Sequence, residues 1–111
     1  MINIEKVKKE IIEKLLPLNP YKVVLFGSYA YGKPNDDSDL DLYIVTNDDF
    51  IPQNWREKAD FHLTISRALR DIIQKYPSDL ITHTKKMHEK FIEQNSSFSK
   101  TIMNDGVLLY G

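Results

Sequence analysis

Two short apolar runs, Tyr21 to Phe26 (YKVVLF) and Leu40 to Val45 (LDLYIV), lie either side of a connection dense in turn-forming residues. The first is β-branched and aromatic and stops abruptly at Gly27, which reads as a buried strand. Residues 32–39 (GKPNDDSD) pack Gly, Pro, Asn, Asp and Ser together, the composition of a turn. Leu40 to Val45 then reads as a second strand, closed by Asn47-Asp48-Asp49. Strands joined by so short a turn-rich link are expected as neighbours in one sheet, and the rest of the chain has to be arranged around that pair.

Before it, Ile4, Val7, Ile11 and Leu15 recur at helical spacing, and Pro17 and Pro20 stop the helix. After it, the pattern from about Trp55 to Tyr76 is helical with two apolar stripes. Trp55, Ala59, Leu63, Ser66, Leu69 and Ile73 form one; Phe61, Ile65, Ala68 and Ile72 form the other. Such a helix is expected to be buried on two sides, in its own fold or against a partner. Pro77 ends it. Asp79 to Thr84 (DLITHT) reads as a third strand, Lys85 to Gln94 and Phe98 to Met103 as helices. Asn95-Ser96-Ser97 between them can cap the second. Gly106 breaks that helix, and Val107 to Tyr110 is expected as a last edge strand. Strands interleaved with helices make an α/β or α+β fold, a small mixed sheet flanked by helices.

At 111 residues the chain is expected to be one domain, residues 1–111. A net charge of -1 argues against the strongly basic surface of a dedicated nucleic-acid binder, so no direct nucleic-acid binding is expected. The absence of cysteine excludes disulfides, thiolate ligands and cysteine nucleophiles, and fits a cytoplasmic location. MINIEKVKKE has no apolar h-region and does not read as a signal peptide. No apolar run approaches the roughly 20 residues that cross a bilayer, so a soluble protein away from membranes is expected.

The chemistry gathers at the two strand ends. Asp39 and Asp41 are one residue apart on a strand and therefore share a face, with Leu40 and Leu42 turned into the core. Two carboxylates so close repel, a cost most simply offset by a cation. Oxygen-only ligands favour Mg²⁺ or Mn²⁺, and Mg²⁺ commonly takes one or two carboxylates with water and substrate phosphates. Asp39 can also be read as part of the preceding turn, with Ser38 as its cap. Upstream, Gly27-Ser28 opens what reads as a short helical turn through Tyr29-Ala30-Tyr31. Glycine permits close backbone approach, and a hydroxyl with free N–H groups suits a phosphate oxygen. A nucleoside triphosphate with Mg²⁺ needs both an anion cradle and a cation site.

The string GSYAYGKPNDDSDLDL resembles the signature of the polymerase-β-type nucleotidyltransferase superfamily, in which Gly-Ser is followed after ten residues by Asp-x-Asp. Gly27-Ser28 and Asp39-Leu40-Asp41 fit that spacing. The size resembles the minimal nucleotidyltransferases, including the antitoxins that pair with HEPN-domain toxins. The resemblance implies a nucleotidyltransferase-like fold and a third carboxylate on an adjacent strand, for which Asp79 is the matching position. By similarity, Asp39, Asp41 and Asp79 are the metal ligands and catalytic residues. Asp39 and Asp41 would hold two Mg²⁺ ions (or Mn²⁺), and Asp79 would complete one site and act as base on the attacking hydroxyl. The nucleotide-binding set would be Gly27, Ser28, Lys33 and Ser38. Many relatives carry Arg between the Ser and the second Gly, where this chain has Tyr29, Ala30 and Tyr31; Lys33 is the replacement cation nearest to hand.

The activity implied is metal-dependent transfer of AMP, or another NMP, from an NTP, with ATP the expected substrate, to a hydroxyl. The most economical acceptor is a tyrosine of a partner HEPN-domain RNase toxin, which the protein would silence as an antitoxin. A small hydroxylated molecule of aminoglycoside type is an alternative acceptor. A non-catalytic ATP-binding partner module is the alternative from another class. The three histidines, His62, His83 and His88, show no metal-ligand spacing; His83, on the strand face of Asp79 and Ile81, is the one to follow.

Overall fold

A computed structural model describes residues 3–35 and 37–111. The chain opens with α1 (Ile4–Leu15), whose N-terminus is capped by Asn3 accepting from the Lys6 N–H at 3.3 Å. A 3-10 turn over Leu16–Leu18 follows, carrying Pro17, and Asn19 ends it in the left-handed region with φ 53°. β1 (Pro20–Phe26) and β2 (Leu40–Thr46) then form an antiparallel pair, as the turn-rich link between them predicts. Each runs one residue beyond its expected limit.

The segment expected as one helix from 55 to 76 is two, α2 (Trp55–Ala68) and α3 (Arg70–Lys75). Leu69 separates them at φ -98°, ψ 11°, and its N–H reaches both the Ile65 carbonyl (3.2 Å) and the Ser66 carbonyl (3.1 Å). The last turn of α2 therefore tightens, and Leu69 and Ile72 both stay in the core. Within the fold the two stripes are buried unevenly: Ile65 and Ile72 of one and Leu69 of the other are buried, whereas Trp55 and Leu63 face solvent, Trp55 at 78% exposure. β3 (Ser78–Thr84), α4 (Lys85–Gln94), α5 (Ser97–Asp105) and β4 (Val107–Tyr110) complete the chain. Ser96 caps α5 by accepting from the Ser99 N–H at 3.1 Å.

The sheet order is β3-β2-β1-β4, with β2 and β3 parallel and the other pairs antiparallel. This is the expected mixed sheet, with β4 on the edge. Alternation along the central strands gives it two covered faces. Val23, Leu25, Leu40, Leu42 and Ile44 pack with Val7, Ile11 and Leu15 of α1 and with Ile65, Leu69 and Ile72. Val24, Tyr43 and Val45 face the other way and meet Ile102 of α5 and Phe91 of α4. Burying each such aliphatic side chain contributes about 1.5–3 kcal/mol, so the carboxylates carried on these strands rest on well-anchored backbone. Among the described residues no helix is long and apolar enough to cross a membrane.

Candidate active site

The antiparallel pairing of β1 with β2 brings the end of one strand beside the start of the other, and Phe26 stands opposite Asp41. Gly27 follows at φ 75°, a conformation that L side chains rarely adopt. A Cβ on Gly27 would land on Asp41 Oδ2 and lie 3.0 Å from the carboxyl carbon. Glycine is thus required twice over: for the sharp exit from β1, and to leave Asp41 its seat. From Ser28 the chain makes a tight turn. The Gly27 carbonyl accepts from the N–H groups of Ala30 (3.0 Å) and Tyr31 (3.1 Å), and the Ser28 carbonyl from that of Lys33 (3.1 Å). The expected helical turn at Gly27-Ser28 is present as this wrapped loop.

On the other side of β2, parallel pairing sets Asp79 opposite Asp41, anchored by the Leu40 N–H donating to the Pro77 carbonyl at 2.9 Å. Asp39 sits one step before β2, exposed, and Asp79 is likewise exposed, while Asp41 between them is half-buried. Burial raises the Asp41 carboxyl pKa above the ordinary carboxylate value, and the negative charges of Asp79 and Asp39 raise it further. Such mutual repulsion is what carboxylates carried close together on β2, β3 and the residue before β2 produce.

The donor set is all carboxylate oxygen, the kind that Mg²⁺ and Mn²⁺ take, and a cation there would relieve the repulsion that perturbs Asp41. Among the described residues no group of three His, Asp or Glu side chains is already closed on a point where an ion would sit.

Of the remaining expected residues, Lys33 is exposed just past Gly32. Ser38 is engaged within the connecting loop: its hydroxyl accepts from the Asn35 N–H at 2.9 Å and lies 3.4 Å from Asn35 Oδ1. That is the geometry of the alternative reading of Ser38, a cap on the turn. Tyr29 packs against the core while Tyr31 is exposed.

Two features close to the carboxylates have no local signature in the sequence. The first is a buried triangle two residues along β2. The Tyr43 hydroxyl lies 3.0 Å from His83 Nδ1 and 2.8 Å from His88 Nδ1, joining β2, β3 and α4. One hydroxyl can donate to one imidazole and accept from the other, so one ring presents a bare Nδ1 and the other an Nδ1–H. Burial lowers the His83 pKa to about 4, helped by the positive charges of His88 and Lys58. Burial also lowers that of His88, with Lys22 assisting and Glu89 opposing. Burial pushes the Tyr43 phenol up. His62, by contrast, pairs with Thr82 at 3.0 Å. The second feature is an aromatic step formed by Phe26, Phe91 and Phe98 on the Asp41 face. Alternation could have placed Phe26 on that face, but nothing local in the sequence announces Phe98 beside it.

The family model described as polymerase beta, nucleotidyltransferase, matches residues 5–111. A protein of Methanocaldococcus jannaschii described as a candidate protein adenylyltransferase, MJ0604, is 30% identical over 116 residues, spanning 98% of this chain and all of the relative. A crystal structure of a candidate nucleotidyltransferase from Sulfolobus solfataricus superposes with a TM-score of 0.58 at 22% identity, over 95% of this chain and 77% of that one. A toxin–antitoxin crystallised with AMP-PNP gives a TM-score of 0.53 at 19% identity, over 94% and 73%. At these identities the two structures speak for the fold.

Proposed function

The chain belongs to the polymerase beta nucleotidyltransferase family, and from that premise we propose that it transfers AMP from metal-bound ATP to a hydroxyl of a partner protein, as the antitoxin of a toxin–antitoxin pair. The observation that carries the reading is the row of three carboxylates, Asp79, Asp41 and Asp39, lying across adjacent strands beside the Gly27-Ser28 turn. The protein-acceptor reading draws support from the M. jannaschii relative, described as a candidate protein adenylyltransferase. The antitoxin reading draws support from the toxin–antitoxin neighbour crystallised with AMP-PNP. The exposed stripe of Trp55 and Leu63 is the surface on which we place the partner, a HEPN-domain toxin with a tyrosine acceptor.

In this reading Asp39, Asp41 and Asp79 would hold two Mg²⁺ ions, which when bound would supply charge neutralisation for the triphosphate and for the oxygens entering and leaving phosphorus. The chain does the positioning. Free N–H groups of the Gly27-Ser28 turn and the Ser28 hydroxyl receive the β- and γ-phosphates, with Lys33 near enough in sequence to add a charge. Asp79, on the outer side of the row, accepts the proton of the attacking hydroxyl as the new O–Pα bond forms. The Pα–O–Pβ bond breaks in line and pyrophosphate leaves toward the turn. Rate comes chiefly from alignment and charge neutralisation.

The test is incubation with Mg²⁺, labelled ATP and the protein that co-purifies from the native host. Label on a tyrosine of that protein, lost in Asp39→Asn/Asp41→Asn, is the expected result. A tight complex with no label on either chain would overturn the enzymatic reading and leave a binding module. Label appearing on an added aminoglycoside-type acceptor instead would overturn the protein-acceptor reading.

A further inference from the structure

Directly opposed residues of an antiparallel pair share a face, with Cβ atoms about 4.5–5.5 Å apart. Phe26, opposite Asp41, is therefore an aromatic ring beside the central carboxylate. Phe98, in the first turn of α5, meets Phe26 edge to face with ring centres 6.0 Å apart. Phe91 of α4 meets Phe98 in the same way at 6.2 Å, and itself stacks on the buried Tyr43 at 5.1 Å. The rings climb from the core to the rim of the carboxylate row. The outermost, Phe98, is 49% exposed, although it is a large apolar side chain lying against the partly buried Phe26 and Phe91. A ring braced by two others and open to solvent suits a flat ligand.

We infer that Phe98 is the nucleobase platform of this site, stacking on the base of the incoming nucleoside triphosphate. The inference rests on the nucleotidyl-transfer reading above. In-line displacement runs across the sheet, from Asp79 on β3 past Asp41 on β2 toward the turn after β1. The ribose leaves phosphorus to the side of that line, and on the face covered by α4 and α5 the exposed aromatic ring is Phe98. Stacking accepts every base and favours the larger purine face. The nucleotide is then gripped at two ends, by carboxylates and turn at the phosphates and by Phe98 at the base.

Calorimetric binding of MgATP and of magnesium tripolyphosphate separates the two ends. Phe98→Ala is expected to weaken ATP roughly 5- to 150-fold and to leave tripolyphosphate unchanged, whereas Phe98→Trp keeps ATP binding. ATP and GTP should bind the wild type more tightly than CTP and UTP. Phe98→Ala losing ATP and tripolyphosphate equally, or neither, would overturn the platform. So would a loss of ATP seen in Tyr31→Ala and not in Phe98→Ala. Wild-type protein that binds neither ligand would overturn the transfer reading with it. ATP and tripolyphosphate binding that both depend on Asp39 and Asp41 but not on Phe98 would overturn the platform alone.

Discussion

Replacing Gly27 with alanine tests the seat of Asp41, and Gly32 supplies its control. Both glycines have φ 75°, but a Cβ on Gly32 would meet no atom within 4 Å, whereas one on Gly27 meets the Asp41 carboxylate. Gly32→Ala therefore carries only the backbone cost of a left-handed residue, about 1–2 kcal/mol. A stiffer unfolded chain offsets about 0.4–1 kcal/mol of it, leaving roughly 0.5–1 kcal/mol. Gly27→Ala carries the same cost plus the displacement of a packed carboxylate, about 1–3 kcal/mol by analogy with overpacking. At about 4 °C per kcal/mol for a domain of this size, thermal melts in EDTA should fall by a few degrees for Gly32→Ala and by roughly 6–16 °C for Gly27→Ala. Titration with Mn²⁺ in the presence of ATP at a temperature where both variants are folded gives the functional half. Gly27→Ala should lose roughly 10- to 100-fold, the scale seen when a ligand's support is disturbed, while Gly32→Ala stays close to wild type. Equal losses in both variants, in stability and in Mn²⁺ affinity, would refute the claim that Gly27 is required by Asp41.

The carboxylates should make the empty protein less stable than it could be: Asp41→Asn in EDTA is expected to raise Tm by a few degrees, and Mg²⁺ to raise the wild-type Tm but not that of Asp39→Asn/Asp41→Asn. An equal Mg²⁺ response in both proteins would count against a carboxylate-held ion. The histidine triangle sets a pH dependence. Because His83 has a folded pKa of about 4 against 6.5, the unfolded chain binds more protons between those values, so stability present above pH 6.5 is lost as pH falls toward 4. The full shift corresponds to roughly 3 kcal/mol, and partial exposure of the ring reduces this to about 1–2 kcal/mol; urea melts from pH 7 to 4.5 in an Asp41→Asn background, free of the opposing Asp41 titration, would measure it. Tyr43→Phe removes the shared hydroxyl from two imidazoles and should cost about 1–3 kcal/mol, with nitrogen NMR of the wild type showing one Nδ1–H and one Nε2–H tautomer. Two identical tautomers would contradict the assigned triangle.

What could be read from the sequence divides along a physical line. Asp41 declares its face because strand alternation is local, Asp39 reaches it from the end of the preceding turn one step before β2, and the residues around Gly27 declare a turn because φ and turn propensity are local too. Asp79 comes within reach because Pro77 marks the helix end and DLITHT has strand character; its place opposite Asp41 then follows from the parallel register. The break at Leu69 has no such marker. No glycine or proline interrupts residues 55–76, and the division shows only in the tightened hydrogen bonding at Leu69. The triangle was hidden for a different reason. Tyr43 meets partners 40 and 45 residues away, and dispersed histidines carry no sign of convergence until β3 and α4 are in place. Phe98 is hidden likewise, since its neighbour Phe26 lies at the far end of the sequence interval that the fold closes.

The connection between β1 and β2 begins and ends on neighbouring atoms, for Phe26 faces Asp41 across the ladder and Gly27 touches the Asp41 carboxylate. An excursion pinned at its base in this way can change length with little penalty, about 0.6 kcal/mol for each doubling. The link between β1 and β2 can thus lengthen or shorten while Asp41 and Asp79, held by the sheet, keep their spacing.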